Sequence, residues 1–226
     1  MHKGFFAEAL ATRPLLWQAM LRANASFTFS APAYMAEASR ILGPSAIRLQ
    51  QWLTEGQCSS SRREPAPEGT DFWDYAEESR RLALLDRSTV KALMRITGVA
   101  LHATEAARVI LAEEQLILRR QLGETMYAYA LYRGQYQLGN VRRFFACLHA
   151  GLPLSQRCTL HGNMALRLVA VLWPESLQQR FIPHLPLLPE GESLPALEED
   201  EIREVWLAVK KLLLREVDPV WAPSFN

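Results

Sequence analysis

Apolar residues recur at offsets of three and four along most of the chain, and they never alternate long enough to make a strand. The pattern predicts an all-α fold: a compact multi-helix domain with an N-terminal helical portion and a long amphipathic C-terminal helix. Phe5, Phe6, Ala9, Leu10, Leu16, Trp17 and Met20 open the pattern, with Pro14 breaking or restarting the helix. Pro32 suits the first turn of a second helix, where the missing N–H has no intrahelical role. Gly43-Pro44 interrupts that helix, and Ile47, Leu49, Trp52 and Leu53 resume it.

The pattern stops between Gly56 and Gly69. Ser, Pro and Gly are too dense there to bury enough apolar area to offset the ordering entropy. The expected organisation is therefore a helical portion over 1–56, a flexible loop over 57–70 and a main helical body over 71–226, the two helical parts forming one integrated domain. In the body, Asp71 caps a helix through Phe72, Trp73, Tyr75 and Leu82. Asp86 or Ser88 caps the next, with Val90, Leu93 and Met94 on one face. Gly98 reads as the separator before a longer helix reaching Leu122. Its stripe of small residues, Val99, Ala103, Ala106, Ala107 and Ile110, would let a neighbour approach closely. Gly123 ends that helix, and short helices follow over Met126–Tyr132 and Val141–Leu148.

After the turn at Gly151-Leu-Pro153, a helix runs over Leu160–Leu172, and Pro174 starts another that puts Leu177 and Phe181 on one face. Pro183, Pro186, Pro189 and Pro195 demand an extended segment. The last helix is the clearest: Ile202, Val205, Trp206, Val209, Leu212, Leu213 and Val217 share a face, and Pro219 stops it. Glu198, Glu199, Asp200 and Glu201 stand at its start and Lys210, Lys211 and Arg215 near its end, so both ends match the macrodipole.

With 226 residues, a core needs neither disulfide nor metal. A net charge of +1 creates no field that would draw nucleic acid or anionic lipid. No apolar run reaches the roughly 18 residues that span a bilayer, and Glu8 and Arg13 spoil a signal-peptide reading. Cys58, Cys147 and Cys158 are odd in number and irregularly spaced, which fits a reducing cytoplasm. Arginines recur as pairs at Arg62-Arg63, Arg80-Arg81, Arg119-Arg120 and Arg142-Arg143, read as solvated helix faces or as docking points for an acidic protein.

Chemistry-bearing patterns are few. Cys147, His149, Cys158 and His161 are the one set that could complete a tetrahedral zinc site, although Cys147 and His149 point apart on a helix. The plain reading is two partly buried cysteines and two surface or loop histidines. His102 and Glu105 stand three apart, with Arg108 a turn further on, and read as a surface ladder in which Glu105 pairs with Arg108. There is no nucleophile elbow, phosphate loop or dinucleotide fingerprint, and the Arg142-Arg143 helix is the sole candidate for a basic recognition helix, against which the net charge of +1 speaks. Tyr127, Tyr129, Tyr132 and Tyr136, with Arg133 among them, are too many to bury with every hydroxyl satisfied, so at least one is expected on the surface.

Three segments bear a resemblance. Phe27-Thr-Phe-Ser-Ala-Pro-Ala-Tyr34 running on to Arg40-Ile-Leu42, Gly98-Val-Ala-Leu-His-Ala-Thr-Glu-Ala-Ala-Arg-Val109, and Trp173-Pro-Glu-Ser-Leu-Gln-Gln-Arg-Phe181 resemble, in order, the characteristic segments of the SctK family. These are cytoplasmic accessory proteins of the bacterial type III secretion injectisome. The resemblance implies a non-enzymatic adaptor of the sorting platform, peripherally associated with the inner-membrane base and a contributor to virulence. It implies that the cytoplasmic domain of the ring protein SctD and the pod protein SctQ are partners, with the stator SctL and the ATPase SctN behind SctQ. It implies no catalytic residue and no cofactor. The candidate partner-binding residues, read from the arginine pairs and the tyrosine group, are Arg119, Arg120, Tyr127, Tyr132, Arg133, Arg142 and Arg143. The alternative is a helical metal- or small-molecule-binding regulator centred on Cys147, His149, Cys158 and His161. A secretion chaperone, usually smaller and strongly acidic, fits the charge less well.

Overall fold

The computed structural model describes Phe5, residues 12–24 and residues 72–225. The expectations for Pro32, for the helix through Ile47 and Leu53, for the loop over 57–70, for the Asp71 cap and for Arg62-Arg63 lie outside these residues, as does the segment from Phe27 to Leu42. The chain divides into two compact units, Met1–Asp74 and Tyr75–Asn226.

In the first unit, helix α1 (Pro14–Ala23) starts on proline, as its sequence predicts. Leu16, Trp17 and Met20, three and four apart, are buried together on one face. Buried Asn24 finishes the helix. Its side-chain amide donates to the carbonyls of Met20 (3.1 Å) and Phe72 (2.8 Å), and its carbonyl accepts the Phe72 N–H at 3.2 Å. One asparagine thereby satisfies an orphan helix carbonyl and pins a segment far along the chain.

The helices of the second unit are α2 (Arg87–Leu101), α3 (Ala103–Ala106), α4 (Ala112–Leu122), α5 (Glu124–Tyr132), α6 (Leu154–Val171), α7 (Glu175–Phe181) and α8 (Glu199–Leu212), with 3₁₀ turns between them. Among the described residues there is no strand, so the fold is all-α as the periodicity predicts.

The core is the crossing of α2 and α6, with α8 laid across both. Asp86, not Ser88, caps α2, accepting the N–H groups of Ser88 (2.8 Å) and Thr89 (2.9 Å). Gly98 does not separate two helices. It lies inside α2, where the backbones of α2 and α6 touch. A Cβ on Gly98 would sit 1.7 Å from the Cys158 carbonyl oxygen, and one on Gly162 would sit 2.2 Å from that of Met94. Two glycines, one on each helix, permit this approach. The expected long helix to Leu122 is instead broken at His102 and again after Ala106, and Ile110, assigned to its packing stripe, is 85% exposed.

The helix expected through Phe72, Trp73, Tyr75 and Leu82 is not formed: residues 72–76 carry no helix, and a 3₁₀ helix follows over Glu78–Leu84. Elsewhere the changes are local. Gly123 ends α4 at φ +82°, a conformation that only glycine adopts cheaply. Val141–Leu148 is no α-helix but a 3₁₀ turn over Gly139–Phe144 followed by turns. Pro174 precedes α7, whose Leu177 and Phe181 are both buried. Helix α8 opens with a capping box between Glu198 and Glu201 and buries Ile202, Val205, Val209 and Leu212. It then widens into a π-helical turn over Leu213–Val217 before Asp218 caps the last 3₁₀ turn. Arg81 is no solvated residue. It is buried and donates to the carbonyls of Tyr75 (3.0 Å), Ala76 (3.1 Å) and Ser224 (2.6 Å), joining both ends of the unit.

Between α7 and α8 Pro183 falls in a 3₁₀ turn over Ile182–His184, and the rest of the proline-rich stretch is without helix from Pro186 to Glu198, as expected. This strap is held to α6 where the Pro186 carbonyl accepts from Asn163 (2.9 Å) and Arg167 (2.8 Å).

Candidate functional site

Two features of the second unit stand apart from ordinary packing: a surface rich in apolar and tyrosine side chains, and a buried chain of histidines.

The surface gathers on α4, α5 and the turns beside them. Ile110 and Leu111 precede α4 at 85% and 63% exposure, and Leu116 and Ile117 lie on its outer face. Tyr132, at the end of α5, and Tyr136 are each about three-quarters exposed, while Tyr129 of the same group is buried. Burial pushes the Tyr129 phenol above its ordinary range. The expectation of at least one exposed tyrosine is therefore met by two, and Tyr127 is half-buried.

The arginines divide by role. Arg119 is exposed and forks onto Glu124, and Arg120 is exposed beside it. Arg133 reaches the buried carboxylate of Glu216 at 2.9 Å, and Arg143 lies 3.6 Å from Glu204 in a solvated pair. Arg142 is committed inward: its Nε donates to the Ala100 carbonyl (3.1 Å) and its Nη2 to that of Gly134 (2.6 Å). It closes the C-terminal end of α2, so it serves the fold more than a partner.

The histidine chain follows from the glycine crossing. His102 lies four residues after Gly98, hence on the same helix face, and His161 precedes Gly162. Where the backbones touch, the two rings meet at 4.9 Å between centroids, and His102 Nε2 is 2.8 Å from His161 Nδ1. On its other side, His161 Nε2 is 2.9 Å from Nδ1 of His149. His149 comes from the loop before α6 and takes φ +55°, the left-handed region, to present its ring there. His149 Nε2 then meets Glu192 of the strap at 2.7 Å. At the far end, His102 Nδ1 lies 3.4 Å from Glu105 of α3, whose carboxylate is gripped by the Arg157 guanidinium through Nη1 (2.9 Å) and Nη2. The order is Arg157, Glu105, His102, His161, His149, Glu192.

Burial first, then the nearby Arg157 charge, hold His102 below the ordinary histidine pKa, with Glu105 opposing. His161 is driven down to about 3 by burial and by its two histidine neighbours. Burial raises the Cys158 thiol to about 12, so it is a packed thiol and no nucleophile. Beside His102 opens a cavity of about 250 Å³ lined by Leu101, His102, Thr104, Glu105, Arg108, Arg142 and Ala146.

Three sequence expectations change here. His161 is fully buried rather than a surface histidine. Glu105 is paired across the crossing with Arg157 and not along its own helix with Arg108. The Cys147, His149, Cys158 and His161 quartet does not assemble. Cys147 is exposed and Cys158 is buried, and among the described residues no group of three or more such side chains could hold a metal. The histidines link end to end through opposite ring nitrogens instead of converging on one point. Sequence reasoning missed this chain because its members are separated by dozens of residues. The one local hint was that each histidine stands close to a helix glycine, His102 four residues after Gly98 and His161 directly before Gly162.

No family model, curated protein or solved structure matches the chain.

Proposed function

We propose that this chain is a non-enzymatic adaptor of the type III secretion sorting platform, similar to the SctK proteins. It joins the cytoplasmic domain of SctD to SctQ, and through SctQ to SctL and the SctN ATPase. The observation that carries the reading is the exposure of six large apolar and tyrosine side chains, Ile110, Leu111, Leu116, Ile117, Tyr132 and Tyr136, along one run of helices and turns of a well-packed helical body. Exposed apolar and tyrosine side chains at this density are the kind of surface that makes protein contacts. Arg119, Arg120, Arg133 and Arg143 are exposed, three of them paired with the carboxylates of Glu124, Glu216 and Glu204. The two SctK-like segments within the described residues fall on structural elements: Gly98–Val109 runs from the glycine crossing through His102 and α3, and Trp173–Phe181 covers α7. The adaptor's work is positional, two faces of the helical fold holding two partners. Among the described residues no helix is long and apolar enough to cross a membrane.

The test is co-purification with the SctD cytoplasmic domain and, separately, with SctQ, the mass being read by light scattering. A defined complex with either supports the adaptor; no complex with either, alone or in the assembled platform, rejects it. Within that assay, Ile117→Glu together with Tyr132→Ala should weaken one partner by about tenfold to a hundredfold while the other is unaffected, as expected for central contact residues. The doubly charged reversal Arg119→Glu with Arg120→Glu should leave the fold intact and weaken the same partner.

A further inference from the structure

The histidine chain contains four links: Glu105 to His102, His102 to His161, His161 to His149, and His149 to Glu192. Each link needs one proton. A neutral imidazole carries one N–H and one bare nitrogen, so three neutral rings supply three protons for four links. With both carboxylates ionised, one link must lack its proton. The distances say which one: the other three span 2.7–2.9 Å, and the Glu105 contact is 3.4 Å. Every ring then carries its proton on Nε2, donating away from Glu105 and towards Glu192. Glu105 tolerates the bare Nδ1 beside it because Arg157 holds its carboxylate.

The geometry points to a directional proton switch: the three imidazoles turn over together, so that either the strap carboxylate Glu192 or the α3 carboxylate Glu105 receives an N–H, and the state of the Arg157–Glu105 pair decides whether the strap is tied at Glu192 as well as at Pro186. Reversal needs no oxidant and no net proton. Together, His149 releases its Nε2 proton to solvent through Glu192, the two ring–ring protons pass from His102 Nε2 to His161 Nδ1 and from His161 Nε2 to His149 Nδ1, and His102 Nδ1 takes up a proton from solvent beside Glu105. The charged groups facing the chain are Glu105 from α3, Arg142 from the Gly139–Phe144 turn, Arg157 from α6 and Glu192 from the strap. The cavity beside His102 gives a partner's side chain access to Glu105 without passing through the core. A basic side chain entering there would hold Glu105 off and keep the strap tied. Anything that draws Arg157 away would release Glu105 to His102, and the strap would lose its hydrogen bond at Glu192.

The two ends can be tested with isosteric variants of the full-length protein, reading ring tautomers by long-range ¹H–¹⁵N spectra at pH 7.5. In the wild type, His102, His161 and His149 should all be neutral and protonated on Nε2. In Glu192→Gln the new amide can donate to His149 Nε2, which satisfies all four links when the rings reverse. All three should then appear protonated on Nδ1. In Glu105→Gln the amide supplies the missing proton at the other end, so the wild-type direction should persist. Arg157→Gln should reverse the rings, and amide exchange over residues 187–194 should speed up about tenfold although Arg157 does not touch the strap. Rings that stay protonated on Nε2 in Glu192→Gln overturn the switch. So does a wild-type spectrum with mixed tautomers or with any cationic ring.

Discussion

Gly98 and Gly162 show how far a single residue's meaning depends on what it meets. In the sequence, a glycine between two apolar runs reads as a helix boundary, and Gly98 was the natural separator. In the structure it is where the α2 backbone touches α6, and only the position of Gly162, far along the chain, reveals that. Gly98→Ala places a methyl group 1.7 Å from a backbone oxygen that cannot move aside without shifting a helix. The helices must part, and overpacking of this kind costs about 1–3 kcal/mol or more. Thermal unfolding should show a Tm several degrees lower, and Gly162→Ala should behave alike. Gly151→Ala, with nothing within 4 Å of its new Cβ, should leave the Tm unchanged. An unchanged Tm for Gly98→Ala would mean the crossing is not this close.

At the scale of elements, sequence chemistry was most legible where the signal is local. Caps and charge order depend on residues within one turn of each other, so the Asp86 cap, the stop at Gly123, the start after Pro174 and the acidic start of α8 all stand where the sequence puts them. The long helix across Gly98–Leu122 failed for the converse reason. Its small-residue stripe matches helical spacing, but α2 ends at His102, whose ring is engaged across the crossing with His161, a contact no local pattern announces. The Asp86 cap permits a quantitative check. Burial raises the Asp86 pKa, but hydrogen bonds from Ser88 and Thr89 outweigh it and bring the value down to about 2. A folded pKa below the unfolded one means the cap's stabilisation is present above about pH 3.9 and fades as the pH falls through 2. Asp86→Ala should cost about 1 kcal/mol at pH 7, read from urea unfolding, and the gap between variant and wild type should close near pH 2. A gap that persists at pH 2 would assign the loss to packing instead of the cap.

For the whole molecule, the buried histidines set how stability responds to acid. His102 and His161 sit below the ordinary histidine pKa when folded, His161 at about 3, and recover the ordinary value of about 6.5 when the chain unfolds. The unfolded state therefore binds more protons in mild acid. Stability is fully present above pH 6.5 and declines as the pH falls towards 3, by up to about 1.4 kcal/mol per pH unit for each proton that only the unfolded chain can take. The carboxylate of Asp86 contributes only at lower pH, so a decline that starts near 6.5 belongs to the histidines. Urea unfolding across pH 4.5–7.5 should show this slope in the wild type. His161→Gln keeps a polar ring-sized group at the crossing but titrates nowhere in this range, so its stability, lower at pH 7.5, should fall less steeply towards pH 4.5. The two curves would converge in acid because His161 charges only on unfolding. Parallel curves would show that the pH response arises elsewhere and that the buried position of His161 carries no linkage.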